Sequence, residues 1–368
     1  KDETPYRFNW QTPILLSSHN QDILYMGSQF LHRSMNQGET WERISGDLTN
    51  GAKEGNVAFG TISTISESKF QFGLLYAGSD DGKIHVSKDG GVSWQLISGN
   101  LPQNLWVSRV VASSHKKERV YVTLNGYRND NFESYAFVSE DFGATWTSIS
   151  NGLTQAVNVI VEDSANENIL YVGTDNGLFI SVDKGANWQD FSNGMPKVAI
   201  HDAVIQTKAK ELIVGTHGRS IYKMDISKVQ ELTKDVLAKN LHLFKVNDRT
   251  KSERWGSQNY AWGKPSEPSQ TIWFYSNADG IVNVSITNEA GMLVHAQKVE
   301  AKKGLNSFAY NYLLSKEVAE KWNKKDKNIK IKEAENKKFY LPVGKYKMTV
   351  SKDKVTETKS FEVTAPKK

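Results

Sequence analysis

Four times the chain writes an octapeptide that keeps only Ser, Asp (Asn once), Gly and Trp: SMNQGETW from Ser34, SKDGGVSW from Ser87, SEDFGATW from Ser139 and SVDKGANW from Ser181. A carboxylate recurring beside a hydroxyl could serve a metal ion or an acid–base reaction. Each copy offers at most one recurring carboxylate and no histidine, which is no ligand set for a transition metal. A turn explains the same residues without chemistry: glycine supplies a positive φ, and the Asp or Asn side chain accepts hydrogen bonds from the turn's own N–H groups. Ser34, Asn36, Gly38 and Trp41, with Ser87, Asp89, Gly91 and Trp94, Ser139, Asp141, Gly143 and Trp146, and Ser181, Asp183, Gly185 and Trp188, therefore read as structural.

Other residues keep a catalytic option open. Hydrolysis of a glycosidic bond uses two carboxylates roughly 5 to 10 Å apart, and Asp81, Asp130 and Asp175 are the candidates for such a pair. Arg109, Arg128 and Arg219 number three, as in a sialidase triad, but no motif ties them to a Tyr–Glu pair. No nucleophilic Ser–His–Asp set, phosphate-binding glycine loop or zinc motif is present, and cysteine is absent, which removes thiolate chemistry and disulfides. The sequence implies no metal and no cofactor.

The elements that must position these residues follow from the repeat. The four serines are spaced 53, 52 and 42 residues apart, as suits propeller blades. Ahead of each octapeptide lies a second phrase: ILYMGS from Ile23, LLYAGSDDG from Leu74, RVYVTLNG from Arg119 and ILYVGTDNG from Ile169; a fifth, LIVGTHGR from Leu212, has no octapeptide after it. Each unit reads as four short strands, in the second unit GTISTISES, GLLYAGS, KIHVSK and SWQLISG, separated by turn residues. The octapeptide joins the third strand to the fourth. Tryptophan opens that fourth strand and can lie across the blade.

Antiparallel order sends the octapeptides to one face and the second-to-third and unit-to-unit loops to the other. That second face is expected to gather Asp80, Asp81, Asp175 and Asn176, the NGYRNDNFESY loop with Arg128, Asn129, Asp130 and Tyr135, then His217 and Arg219, with Trp106 and Arg109 approaching from a unit-to-unit loop. Of these, Trp106, Arg109, Arg128, Asn129, Asp130, His217 and Arg219 are the ligand-binding candidates. The aspartates also suit turns, and the arginines suit ion pairs between blades.

After residue 225 the pattern changes. Residues 226–269 read as a linker with a short helix over 229–237, and from Gln270 alternation returns in six or seven strands, enough for a β-sandwich over 270–368. A lysine-rich insertion, residues 314–338, begins with a helical pattern. Residues 1–225 carry a net charge of −6 and the remainder +11, and an acidic front argues against nucleic acid as its ligand. No apolar run approaches the ~20 residues that span a bilayer. The chain starts with Lys1 rather than Met, which reads as a processed or excised piece.

The octapeptides resemble the Asp-box, or bacterial neuraminidase repeat, of sialidases, xyloglucanases and sortilin-type receptors. RFNWQTPILLSSHNQDILYMG, WVSRVVAS and LIVGTHGRSIYKMD, with the loop and strand phrases above, resemble large bacterial sortilin-like propeller proteins over residues 7–225. The resemblance implies an all-β chain: five blade units over 1–225, part of a larger propeller or else closed on themselves with YRFNW lending a strand to the last, then an immunoglobulin- or fibronectin-like sandwich. It also implies an extracytoplasmic protein of the secreted or cell-envelope kind. Two functions stay open, a binding or scaffold protein for a peptide, protein segment or glycan, working with further blades or another subunit, and a glycoside hydrolase.

Overall fold

A computed structural model describes residues 5–55, 58–192, 194–258, 260, 262–326 and 329–366. The chain divides into two compact units, Lys1–Gln230 and Glu231–Lys368. In the first, every repeat phrase becomes an antiparallel sheet whose strands follow in chain order. The first sheet holds β1 (Ile14–Leu16), β2 (Leu24–Gly27), β3 (Leu31–Ser34) and β4 (Glu42–Arg43); the second β5 (Ile62–Glu67), β6 (Leu75–Ser79), β7 (Ile84–Ser87) and β8 (Gln95–Leu96). The third holds β9 (Trp106–Ala112), β10 (Val120–Gly126), β11 (Asn131–Ser139) and β12 (Thr147–Ser148); the fourth β13 (Val157–Glu162), β14 (Leu170–Thr174), β15 (Gly177–Ser181) and β16 (Gln189–Asp190). The fifth has β17 (Ile200–Gln206), β18 (Glu211–Thr216) and β19 (Ile221–Asp225). Four-stranded antiparallel sheets packed face to face in sequence are the construction of a β-propeller.

Burial on both faces shapes the second strands. Leu75–Ser79, Val120–Gly126 and Leu170–Thr174 are buried at every residue, so these segments read as apolar runs instead of alternating. The fourth strands are two residues long, shorter than the expected SWQLISG. Pairing stops because a side chain takes over from the backbone: after Ile97 N–H donates to the Ile84 carbonyl, the Ser98 hydroxyl accepts the Ile84 N–H.

Three devices join neighbouring sheets. The first is a glycine notch in the second strand: a Cβ on Gly27, Gly78 or Gly173 would come within 2.8, 2.5 and 2.6 Å of Ile62, Val107 and Ile200 of the next sheet. The second uses the octapeptides. The indole N–H groups of Trp94, Trp146 and Trp188 donate to the carbonyls of Ile44, Ile97 and Ile149 in the preceding sheet, at 2.9, 2.8 and 2.6 Å. Beside them Gly91, Gly143 and Gly185, all at positive φ, lie so close to the same isoleucines that a Cβ would fall within 2.4–2.9 Å. Tryptophan thus ties its own blade to the one before it, which the expectation of a ring lying across a blade did not include.

The third device is a buried tyrosine–glutamate bond. Tyr25 donates to Glu67 of the next sheet and Tyr121 to Glu162, both at 3.0 Å, and the serines Ser17 and Ser113 donate to the same carboxylates. Burial, reinforced by the glutamate charge, pushes both phenols well above their ordinary pKa. Between the second and third sheets the register position of the glutamate is Ala112, and the buried Tyr76 hydroxyl has no hydrogen-bond partner among the described residues.

The segment after Pro5 lies along the first two sheets. Arg7 bonds Gln29, Gly60, Asp47 and Thr49, and Asn9 bonds Thr61 and Asp80. YRFNW therefore lends no strand to the fifth sheet. Downstream, the short helix expected over 229–237 is two single turns, α1 (Ser227–Gln230) closing the first unit and α2 (Lys234–Leu237) in the second, the latter started by the Thr233 side chain accepting from Val236 N–H.

Within the second unit the chain runs β20 (Leu241–Leu243), β21 (Arg249–Thr250), β22 (Gln270–Ser276), β23 (Gly280–Asn288), β24 (Leu293–Ala301), β25 (Gly304–Tyr310), β26 (Leu313–Leu314), α3 (Lys316–Lys325), β27 (Phe339–Tyr340), β28 (Gly344–Lys352) and β29 (Val355–Thr364). A three-stranded sheet, β20-β22-β25, and a five-stranded sheet, β21-β29-β28-β23-β24, share one core that includes Phe274, Ile286, Tyr310, Tyr346 and Phe361. Residues 231–269, read as linker, thus contribute β20 and β21 to these sheets. In the insertion, α3 begins at the Ser315 cap and buries Ala319 and Trp322, while residues 327 and 328 of its lysine-rich stretch lie outside the described residues.

Removing a satisfied buried hydroxyl and removing an orphaned one should differ. Tyr121→Phe should destabilise the first unit by about 2 kcal/mol, the scale of a bond to a charged acceptor, whereas Tyr76→Phe should be neutral or slightly stabilising. Denaturant unfolding of the two variants checks the contrast, and equal losses would mean that Glu162 contributes nothing to the joint.

Candidate functional site

The octapeptide turns close on themselves. The hydroxyls of Ser34, Ser87, Ser139 and Ser181 donate to Asn36, Asp89, Asp141 and Asp183 at 2.7–3.0 Å, and accept the N–H of Gly38, Gly91, Gly143 and Gly185 at 2.7–2.8 Å. The same Oδ1 atoms accept the backbone N–H of Thr40, Ser93, Thr145 and Asn187, each at 2.9 Å. In the three aspartates the second oxygen is taken by the side chain of Ser93, Thr145 or Asn187. Hydrogen bonds from the Ser93 side chain first, then its backbone, hold Asp89 down at about 2, and those from the Thr145 backbone first, then the Ser139 and Thr145 side chains, hold Asp141 at about 2. Among the described residues no three His, Asp or Glu side chains could hold a metal ion.

On the opposite face the aspartates divide. Asp80 and Asp81, expected on the rim, are buried at 4% and 3% exposure. Asp80 accepts from the Thr61 N–H and hydroxyl and from Asn9, and burial raises its pKa. Asp81 accepts from Ser79 and from Asn50 N–H at 2.5 and 2.6 Å. Oδ2 of Asp81 fastens the loop after β6 to the one after β4, while Oδ1 accepts from Ser79 at the end of β6 itself. Asp175 is half-buried and accepts from Asn158, itself the acceptor of Asn125. Asp130 stays exposed, in the left-handed conformation (φ 54°) that ends the single 3-10 turn Tyr127–Asn129.

That turn supplies what the face does present. The Arg128 guanidinium lies over the Trp106 ring, 3.9 Å from its centroid, a cation–π contact that holds both side chains flat. Asn129 anchors the loop to the Asn104 carbonyl at 2.9 Å. Tyr127 and Phe132 are 53% and 59% exposed, and Tyr135 turns inward to stack on Phe137 and bond Asn131. Arg109 pairs with Asp202 at 2.7 Å, so it is bound to a carboxylate of β17. His217, Arg219 and Asn176 are exposed.

Sequence reasoning passed over His201 and Asp202. The first strands of sheets two to five carry a register shift after their first inward residue, at Ser63, Ser108, Asn158 and His201, and such bulges re-aim a side chain. Ser63 and Ser108 bond the carbonyls of Val107 and Val157 in the following sheet. His201 sits instead with its ring 5.1 Å from that of His217, its pKa lowered by burial and then by that neighbour. The signal available was the alignment of AIHDAV with the first strands of the other repeats.

A family profile described as "Sortilin, neurotensin receptor 3" matches residues 29–156. No curated protein matches the chain. Among solved structures, an ancestral GH74 enzyme is 16% identical with a TM-score of 0.47, covering 85% of this chain and 40% of its own. The GH74 xyloglucanase from Xanthomonas campestris is 12% identical at 0.46, covering 97% of this chain and 56% of its own. The Cps50 (Swd1) β-propeller domain of Myceliophteria thermophila is 11% identical at 0.45, covering 84% and 100%. The chain spans less than two thirds of either GH74 protein. No helix among the described residues is long and apolar enough to cross a membrane.

The turn carboxylates predict an acid limb. Asp89 and Asp141 sit at about 2 in the folded chain against about 3.9 in an unfolded one, so their contribution is complete above about pH 4 and lost as pH falls through about 2. Asn36 builds the same turn without charge. Asp141→Asn should therefore flatten the loss of stability between these pH values, as read from denaturant midpoints, while Asp141→Ala should lower stability at neutral pH as well.

Proposed function

We propose that this chain is an extracytoplasmic binding or scaffold protein that holds a peptide, protein segment or glycan on the loop face of its first unit. The observation that carries the reading is what that face offers to solvent: a cation held flat on an indole, Arg128 over Trp106, beside exposed Tyr127 and Phe132. Rigid aromatic and guanidinium groups at a surface bind with little loss of side-chain entropy. The profile that matches residues 29–156 describes a receptor, which supports a binding role. In this reading the five sheets are part of a larger propeller, and the second unit, an immunoglobulin- or fibronectin-like sandwich, docks the first to a larger cell-envelope assembly.

A glycoside hydrolase is the competing proposal. Its carboxylates would come from Asp81, Asp130 and Asp175, of which Asp81 is buried with both oxygens accepting hydrogen bonds. Exposed rim residues contribute little to folding, so Arg128→Ala should cut capture from a peptide and glycan array several-fold with an unchanged unfolding midpoint. Asp130→Asn and Asp175→Asn should leave capture intact. Hydrolysis of xyloglucan or a sialoside, lost in either Asn variant, would replace the binding reading with the hydrolase, because a general acid or base acts chiefly in the transition state.

A further inference from the structure

The four-stranded sheets close their third strand in one way, and the fifth presents that same strand edge to solvent. In sheets one to four the residue of the third strand that pairs with the notch position of the second is Leu31, Ile84, Ala136 or Leu178. Its carbonyl accepts the N–H of Ile44, Ile97, Ile149 or Phe191, at 2.8–2.9 Å. Its N–H donates to the hydroxyl of the serine that follows, Ser45, Ser98, Ser150 or Ser192, at 2.8–3.2 Å. The fourth strands that supply these groups read ERIS, QLIS, TSIS and QDFS: two solvent-exposed residues, polar except for Leu96, then Ile or Phe, then Ser.

Ile221 holds that position in the fifth sheet, paired with Gly215 of β18. One step earlier the Thr216 N–H donates to the Ser220 carbonyl, so by antiparallel alternation the N–H and carbonyl of Ile221 point away from β18. The Thr216 hydroxyl also donates to the Ser220 carbonyl, as Thr174 does to Gly177 in the fourth sheet. The edge therefore has the local geometry of its completed neighbours. Ile221 is 73% exposed, an apolar side chain on an open strand edge, which sheets normally cover or charge.

We propose that β19 is a strand-addition site whose partner is an extended segment of the same pattern, two solvent-facing residues followed by Ile or Phe and then Ser. Its main-chain groups pair with Ile221 and Lys223, and its serine hydroxyl accepts the Ile221 N–H. Backbone pairing supplies affinity and the aliphatic–serine step supplies selectivity, as in other sheet augmentations. The recognition is independent of what binds on the loop face.

The probe is a synthetic peptide of residues 93–99, SWQLISG, added to the full 368-residue chain. Amide hydrogen exchange at Ile221 and Lys223 should slow roughly tenfold or more at saturating peptide. Replacing the peptide's Ile by Asp and its Ser by Pro should abolish the effect, and Ile221→Pro in the protein should abolish it too, by deleting the donor. If Ile221→Pro fails to fold by circular dichroism, the peptide substitutions still decide. No slowing, or equal slowing by a scrambled peptide, overturns the proposal. So does slowing in protein alone that grows with its concentration alongside dimer formation in sedimentation, because the edge would then pair with a second copy of itself.

Discussion

A hydrogen bond from an indole N–H to the carbonyl of the preceding sheet underlies the construction of the first unit. Trp94, Trp146 and Trp188 each make it, and it can form only where the neighbouring backbone comes close. Gly91, Gly143 and Gly185 allow that approach, since a β-carbon on any of them would collide with the isoleucine whose carbonyl is being reached. The Ser and Asp of the same turn then fix the loop so that the ring arrives at the right height. Each residue kept in the octapeptide serves one joint.

This assignment distributes function. The face that carries the turns spends its recurring carboxylates on backbone N–H groups and its indoles on the preceding sheet. The opposite face is built from loops that are tied down individually, by Asn129 on Asn104 and by Asp81 on Asn50, which leaves Arg128, Trp106, Tyr127 and Phe132 as a stiff surface. Rigid sheets with variable loops are a common division of labour between stability and recognition.

Much of this was legible in the sequence for a physical reason. The second strands of the three middle sheets are enclosed on both sides, so their apolar runs could be found without a partner, and the glycine-bearing turns recur because their backbone tolerates no alternative. What escaped was set by contacts between repeats. Nothing local in LLYAGSDDG says that Asp81 is buried rather than exposed; that depends on Asn50, 31 residues away. The Arg109–Asp202 pair joins residues 93 apart. His201 was hidden by a bulge that shifts its side chain out of simple alternation, and the two-residue length of the fourth strands depends on serine hydroxyls standing in for backbone acceptors.

The claim that the tryptophans are joints between sheets is most directly tested on their indole N–H groups. Trp41 occupies the same turn position in the first sheet, yet Gly38 has only its ring within 4 Å and no hydrogen bond ties that indole to a described residue. Assigned NMR exchange of the indole protons should show Trp94, Trp146 and Trp188 protected on the order of 100-fold or more relative to Trp41. Equal exchange of all four would contradict the account, because the tryptophans would then belong to their own turns alone.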